Sequence, residues 1–116
     1  MATVSPVISP TGSPNGVPRV VWSGIVTGDT LDPLKVVQSR GFVASVQISG
    51  TFGGATVTLQ HSNDGTTWVT AKDVRGNDVT ATAAAIFEVS LSSAYIRPAI
   101  ASGSANAVNV IAVMRG

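Results

Sequence analysis

The chain has 116 residues, no cysteine and a formal net charge of +1, from seven Lys and Arg against six Asp and Glu. Charged residues make up 11% and hydrophobic residues 44%, whereas an average domain is roughly 25% charged. This length suits one domain with its own core, and the composition excludes a disulfide framework and thiolate metal sites. Because the seven cations are scattered, we expect no direct nucleic-acid binding.

The hydropathy pattern bears on membranes and export. No segment approaches the ~18 uninterrupted apolar residues of a membrane span. Residues 1–18 have neither the basic start nor the continuous apolar run of a signal peptide. We therefore expect a soluble protein that does not bind membranes and is not exported by that route.

The sparse charge allows two interpretations of the surface. Most polar positions must be filled by Ser, Thr, Asn and Gln, which suits a β-rich shell that packs much of its outside against another surface. A small protein with Thr-rich strands and a neutral exterior has the same composition. Composition alone leaves both interpretations open.

Residues 1–18 differ from the rest of the chain, since they carry a proline at every fourth position from residue 6 to residue 18. Proline cannot donate to a strand ladder and biases its predecessor to extended conformations, so this segment is predicted to be an arm. It is either a floppy terminus or an extended arm that docks on a neighbouring subunit. The predicted docking residues are Val4, Pro6, Val7, Ile8, Pro10 and Val17.

Strand signals begin at residue 19 and continue through the rest of the chain. Runs of β-branched and aromatic residues, bounded by turn residues, are typical of strands. They predict strands over 20–26, 35–38, 42–49, 55–60, 68–71, 86–91, 95–100 and 106–115. The segment 72–84 is predicted to be a loop or a short edge strand, and Pro98 indicates an edge or a bulge.

The segment 55–70 has the sequence of a β-hairpin. Alternating apolar and polar residues over 55–60 predict a strand with one buried face. The tight reversal is predicted at Ser62, Asn63, Asp64 and Gly65, because these side chains bond to their own backbone and glycine adopts positive φ. Trp68 is then placed on the returning strand.

The element pattern predicts the fold class. About eight short strands at roughly ten-residue spacing, with no long helix, are typical of a single antiparallel β-sandwich or jelly roll over residues 19–116. Strand order is left open, because jelly-roll and immunoglobulin-like topologies have similar strand spacing.

The residues offer little chemistry. His61 is the only histidine, and although Ser62 and Asp64 are its neighbours, adjacent strand residues point in different directions, so a catalytic triad is not expected. Asp64 and Asp78 lack the spaced acids of a Ca²⁺ loop. The glycine-rich segment 50–54 opens no helix and has no lysine, so it does not predict a phosphate site. We predict no catalytic residue, metal or cofactor.

Aromatic side chains are the remaining binding candidates. Trp68 and Tyr95 are expected to be structural, because aromatics form only 5% of the chain. Trp22 and Phe52 are predicted to contribute to a partner interface. A carbohydrate-binding module, which is one alternative function, predicts that Trp22 or Phe52 is exposed beside a polar groove.

Three stretches carry a resemblance to a known class of proteins: the run from Val57 to Trp68, the segment 95–98, and the last strand, which ends near Arg115. Over residues 42–116 the chain resembles small structural proteins of tailed bacteriophages, in particular β-sandwich cement or decoration proteins of capsids. The Ser-Asn-Asp-Gly-x-x-Trp portion is also similar to a hairpin of discoidin-type domains. Those domains are usually longer and often contain cysteines, so they fit less well.

The resemblance implies a non-enzymatic virion protein that is made in the host cytoplasm and binds the outer capsid surface. Its implied partners are the major capsid protein and neighbouring copies of itself, as a trimer or dimer, with terminal arms that bridge capsomers. The alternatives are a tail, spike or fibre-base subunit and the carbohydrate-binding module.

Overall fold

The computed structural model describes residues 3–9, 19–35, 42–91, 93–104 and 106–115. This part of the chain contains twelve strands and no helix. The strands are β1 (Thr3–Val4), β2 (Val7–Ser9), β3 (Arg19–Ile25), β4 (Thr30–Leu31), β5 (Leu34–Lys35), β6 (Phe42–Thr51), β7 (Thr56–Ser62), β8 (Val69–Thr70), β9 (Thr80–Ala81), β10 (Ala85–Leu91), β11 (Tyr95–Ala101) and β12 (Ala107–Arg115).

The strands form two main antiparallel sheets. The first, which we call the β6 sheet, has the order β10-β6-β12-β3-β2. The second, the β7 sheet, has the order β5-β11-β7-β8, and β9 also pairs with β7. A short parallel pair, β1 with β4, lies outside both.

One hydrophobic core joins the inner faces of the two sheets. Along the long strands, alternate residues are buried or partly buried, as expected from period-2 patterning. The largest fully buried side chains are Trp22, Ile25, Ile48, Leu59, Ile96, Val20, Val46, Val57, Val79, Val89 and Val108. The prediction of an all-β sandwich is confirmed.

The chain crosses repeatedly between the sheets, for example from β6 to β7 and from β11 to β12. The central pairs β6–β12 and β7–β11 join strands that are distant in sequence. This order is compatible with a jelly roll, which remains a prediction within the confirmed sandwich.

Individual strands follow the sequence pattern with local differences. The predicted strand 35–38 corresponds to β5, and residues 36–38 lie outside the described part of the chain. The segment 72–84 contains the short strand β9, in keeping with its prediction. Pro98 lies in the middle of β11. The described residues of β5 pair only with Tyr95 and Ile96, so they do not cover the edge of β11 at Pro98.

The first described segment, 3–9, pairs with its own sandwich. β2 forms the edge of the β6 sheet beside β3, and β1 pairs with β4. Asp32 connects this segment to the core: its backbone N–H donates to the Val4 carbonyl (2.9 Å), its carboxylate accepts from Ser5 Oγ (2.8 Å), and its carbonyl accepts from Trp22 Nε1 (2.8 Å).

Candidate interaction surface

The predicted hairpin turn forms with the predicted chemistry. β7 and β8 pair through Gln60 with Thr70 and His61 with Val69. Asp64 accepts hydrogen bonds from Ser62 Oγ (2.9 Å) and from the N–H groups of Thr66 and Thr67 (2.8 Å each). Gly65 has φ +77°, and an added Cβ would lie 3.4 Å from the Tyr95 ring. The turn is therefore specified by side chains that bond to the loop backbone.

These bonds change the acidity of the Asp64 carboxyl. The backbone N–H of Thr67, then that of Thr66 and then the Ser62 hydroxyl stabilise the carboxylate, and they lower its pKa to about 2. Asn63 also contributes to the loop, since its Oδ1 accepts from the Ala94 N–H at 3.2 Å. All of this supports the structural role predicted for the turn residues.

Trp68 lies in the loop just before β8, half-buried beside a cation. The Arg97 guanidinium carbon is 4.2 Å from the centroid of the Trp68 ring, within cation–π range. Arg97 Nε donates to Gln60 Oε1 at 2.9 Å, and partial burial lowers the pKa of Arg97. Trp68 therefore packs on the outside of the β7 sheet rather than across the core.

Trp22 and Phe52 differ from their predicted place in a partner interface. Trp22 has no exposed surface and Phe52 is 9% exposed, and both belong to the core cluster. Their side chains fill the space between the sheets, so neither reaches a partner from this chain. The exposed aromatic that the carbohydrate-binding alternative predicts is thus missing at both positions.

The arm residues have separate positions. Val4 is partly buried against the chain's own core, Pro6 is half-buried and Val7 is 62% exposed. Ile8 lies in β2. Pro10 and Val17 lie outside the described residues. Docking of this arm on a neighbour stays a prediction, but residues 3–9 are paired within the chain itself.

His61 is half-buried in a groove of about 550 Å³ on the β7 side of the sandwich. Its Nδ1 is 3.1 Å from Ser93 Oγ, which the sequence did not single out. Asp64 lines the same groove, yet its described hydrogen bonds go to Ser62 and the loop backbone. Among the residues that the structure describes, no carboxylate is hydrogen-bonded to the His61 ring, so the acid that orients the histidine of a catalytic triad is missing.

The feature that the sequence did not indicate is an aliphatic row on the outer face of the β6 sheet. Residues directly opposite each other in antiparallel strands share a face. The register aligns five residues across β10, β6, β12, β3 and β2, in that order: Ile86, Gln47, Ile111, Val21 and Val7. We call this set the aliphatic row.

The aliphatic row is open to the outside. Ile86 is 66% exposed and Val7 62% exposed, while Ile111 and Val21 are intermediate. The neighbouring row on the same face contains Glu88, Ser45, Val113, Arg19 and Ser9. Ile111, Val21 and Val7 are aliphatic neighbours on adjacent strands, and the exposed Gln47 separates them from Ile86. Exposed aliphatic side chains grouped in this way are typical of an interaction site.

The outer face of the β7 sheet is polar by comparison. Its cross-strand pairs include Thr58 with Ala99 and Gln60 with Arg97. Thr58, Gln60 and Arg97 are all half-buried. The two outer faces of the sandwich therefore differ in chemistry, and the apolar one is the stronger candidate for protein contact.

A groove of about 340 Å³ borders the aliphatic row at the β10 edge. Its lining includes Ile86, Glu88 and Val74, and Val74 is 57% exposed. The Val74 N–H donates to the Glu88 carbonyl at 2.9 Å, so the loop that carries Val74 lies against the open edge of β10. The rest of the lining consists of Ser45, Asp73, Arg75 and Phe87. The groove therefore places Val74 beside the aliphatic row but is itself mainly polar.

Metal ligands and membrane-spanning helices are not found in the parts of the chain that the structure describes. No three His, Asp or Glu side chains are grouped there so that they could hold a metal ion. No helix there is long and apolar enough to cross a membrane. No known family model matches this chain, and no curated protein is significantly similar to it.

Proposed function

We propose that this chain is a non-enzymatic structural protein of a tailed-bacteriophage virion, a decoration protein that binds the outer capsid surface and stabilises the shell. The observation that carries the proposal is the aliphatic row, which places aliphatic side chains on four of the five strands of one sheet. The proposed partners are the major capsid protein and neighbouring copies of the chain.

The energetics of this face suit a subunit contact. Burial of apolar surface contributes roughly 25 cal/mol per Å², and the most exposed aliphatic side chains, Val7 and Ile86, lie at its two ends. The two rows of this face described above contain two charged side chains, Glu88 and Arg19, which a partner has to pair or desolvate. A modest local affinity, repeated over a shell, then gives strong overall attachment.

Binding to purified shells tests the proposal. The full chain is mixed with expanded capsids of the phage whose genome encodes it, and the bound protein is counted after sedimentation. The shells are then heated with and without the protein. We expect stoichiometric binding and a higher temperature of shell disruption.

Two point variants test the face and avoid removal of the arm, whose residues 3–9 belong to the sandwich. Ile86→Asp places a charge on the aliphatic row and is expected to weaken shell binding at least about tenfold. Val69→Asp is the matched control, because Val69 is 59% exposed on the other sheet. It is expected to bind like the wild type.

The results separate the candidate functions. Absence of binding by the wild-type chain contradicts the decoration proposal. Equal binding by wild type and both variants contradicts the role of the aliphatic row. A tail, spike or fibre-base subunit uses the same kind of face, and recovery of the protein with isolated tails rather than emptied heads identifies it.

A further inference from the structure

The row beside the aliphatic row carries opposite charges at well-separated positions. Glu88 on β10 and Arg19 on β3 are aligned through Ser45 on β6 and Val113 on β12. Three strand spacings separate them, which corresponds to about 14 Å. Both side chains are exposed, and the single ion pair of the described residues joins Lys72 and Asp78 instead.

A twofold axis would make this face complementary to itself. When the axis runs along the strands, in the contact plane and midway between β6 and β12, it exchanges β10 with β3 and β6 with β12. Glu88 of one copy then faces Arg19 of the other, and the pair occurs twice. Face-to-face sheets lie about 10 Å apart, a gap that these two long side chains can bridge together.

The same operation aligns the aliphatic rows of the two copies. Ile86 of one copy faces Val21 of the other, and Gln47, the polar member of the row, faces Ile111. Val7, on the extra edge strand β2, falls one strand spacing beyond β10 of the second copy. That position is the groove lined by Val74 and Ile86, whose lining also includes Asp73 and Arg75. Val7, Val74 and Ile86, which are each more than half exposed in one copy, therefore meet at each end of the contact.

The geometry points to a second copy of this chain as the occupant of the β6 sheet's outer face, in a symmetric dimer held by the aliphatic row and two Glu88–Arg19 ion pairs. This inference rests on the proposed function only in that it takes the same face as the interaction surface, and it names the partner of that face. In this dimer the aliphatic row is buried between the two copies, so attachment of the dimer to the shell uses other surface of the pair.

The size of the face supports a specific but weak dimer. Its strands β3 and β10 have seven residues each. Four strands of at least this length, together with the three-residue β2, cover roughly 500 Å² per copy, or roughly 1,000 Å² in the pair, which is at the lower limit for specific interfaces. We therefore expect a dissociation constant in the micromolar range, so that the dimer is dominant at about 100 µM protein.

Charge reversal tests the symmetry. Sedimentation equilibrium of the purified full chain is measured for the wild type, for Glu88→Arg, for Arg19→Glu and for the double variant. Each single reversal places like charges opposite each other twice, and each is expected to weaken dimerisation at least about tenfold. The double variant restores opposite charges in exchanged positions and is expected to dimerise like the wild type.

Circular dichroism spectra and melting curves establish that each variant is folded, since both sites are exposed. A monomeric wild type at about 100 µM overturns the inference, as does a trimer or a double variant that stays as weak as the single ones. If the chain is a monomer and Ile86→Asp weakens its binding to shells, the aliphatic row contacts the capsid. The proposed function is then supported and the dimer is excluded. A dimer that binds no shell leaves this inference intact and removes the proposed function.

Discussion

A single methyl group at residue 53 is expected to disrupt the end of the sandwich where the β6–β7 and β11–β12 connections meet. Gly53 has φ +58°, and its carbonyl accepts a hydrogen bond from the Ser104 N–H at 3.1 Å. A Cβ on this residue would overlap the Ser104 carbonyl oxygen and lie 3.4 Å from Asn106 Cβ. In Gly53→Ala the two connections must therefore move apart.

The loss of stability has a conformational part and a part that arises because the backbone is displaced. An L residue in the left-handed region costs about 1–2 kcal/mol. The displaced backbone also loses the Ser104–Gly53 hydrogen bond, worth about 1 kcal/mol. It further strains Asn106, a buried residue whose amide bonds to Thr27 (2.7 and 3.0 Å). We expect Gly53→Ala to lower the free energy of unfolding by about 3 kcal/mol.

Gly54→Ala is the matched control, because Gly54 has φ +84° and its added Cβ would come no closer than 3.9 Å to a neighbouring atom. It should lose only the conformational part, about 1–2 kcal/mol. Urea titration of both variants measures the difference of about 1–2 kcal/mol, which corresponds to roughly 4–8 °C in melting temperature. Values for the two variants within about 0.5 kcal/mol of each other would refute the argument that the close approach matters.

Two further predictions concern the hairpin and the core tryptophan. The pKa of Asp64 is lowered to about 2 in the folded chain. Its carboxylate therefore stabilises the fold fully above the unfolded pKa of about 3.9, and progressively less as the pH falls towards 2. The urea midpoint of Asp64→Ala should lie below that of the wild type at pH 6 and approach it at pH 2, and a difference that stays constant with pH would contradict this. Trp22→Phe removes the bond from Nε1 to the Asp32 carbonyl and part of the core volume, so it should cost about 2–4 kcal/mol in urea unfolding, whereas Trp68→Phe, at a half-exposed site, should cost less than half as much.

The hairpin and the sandwich were predictable because their signals are local. Alternation over residues 55–60 determines which side chains of β7 face the core, and Ala55, Val57 and Leu59 are indeed buried. The Ser62 and Asp64 side chains bond within the next three residues, so their role follows from short-range chemistry. Neither inference needs to know which strands are neighbours.

The aliphatic row was not predictable, since it depends on pairings between strands that are distant in sequence. Over residues 110–113 of β12 both alternating sets are apolar: Val110 and Ala112 face the core, while Ile111 and Val113 face outward. Periodicity cannot choose between two apolar faces. The burial of Trp22 was ambiguous for the same reason, because it follows two valines in a continuous apolar run.

Residues 3–9 of the arm and the outer face of the β6 sheet are far apart in sequence, but they belong to one surface. β2 covers the edge of β3, where unpaired backbone groups would otherwise be available to another chain. By the same pairing it adds Val7 to the aliphatic row, opposite Val21. Under the proposed twofold symmetry Val7 is the group that reaches the groove beside Ile86 in the second copy. Residues 3–9 thus stay on their own sheet, where they widen the face that we propose as the contact with a neighbour.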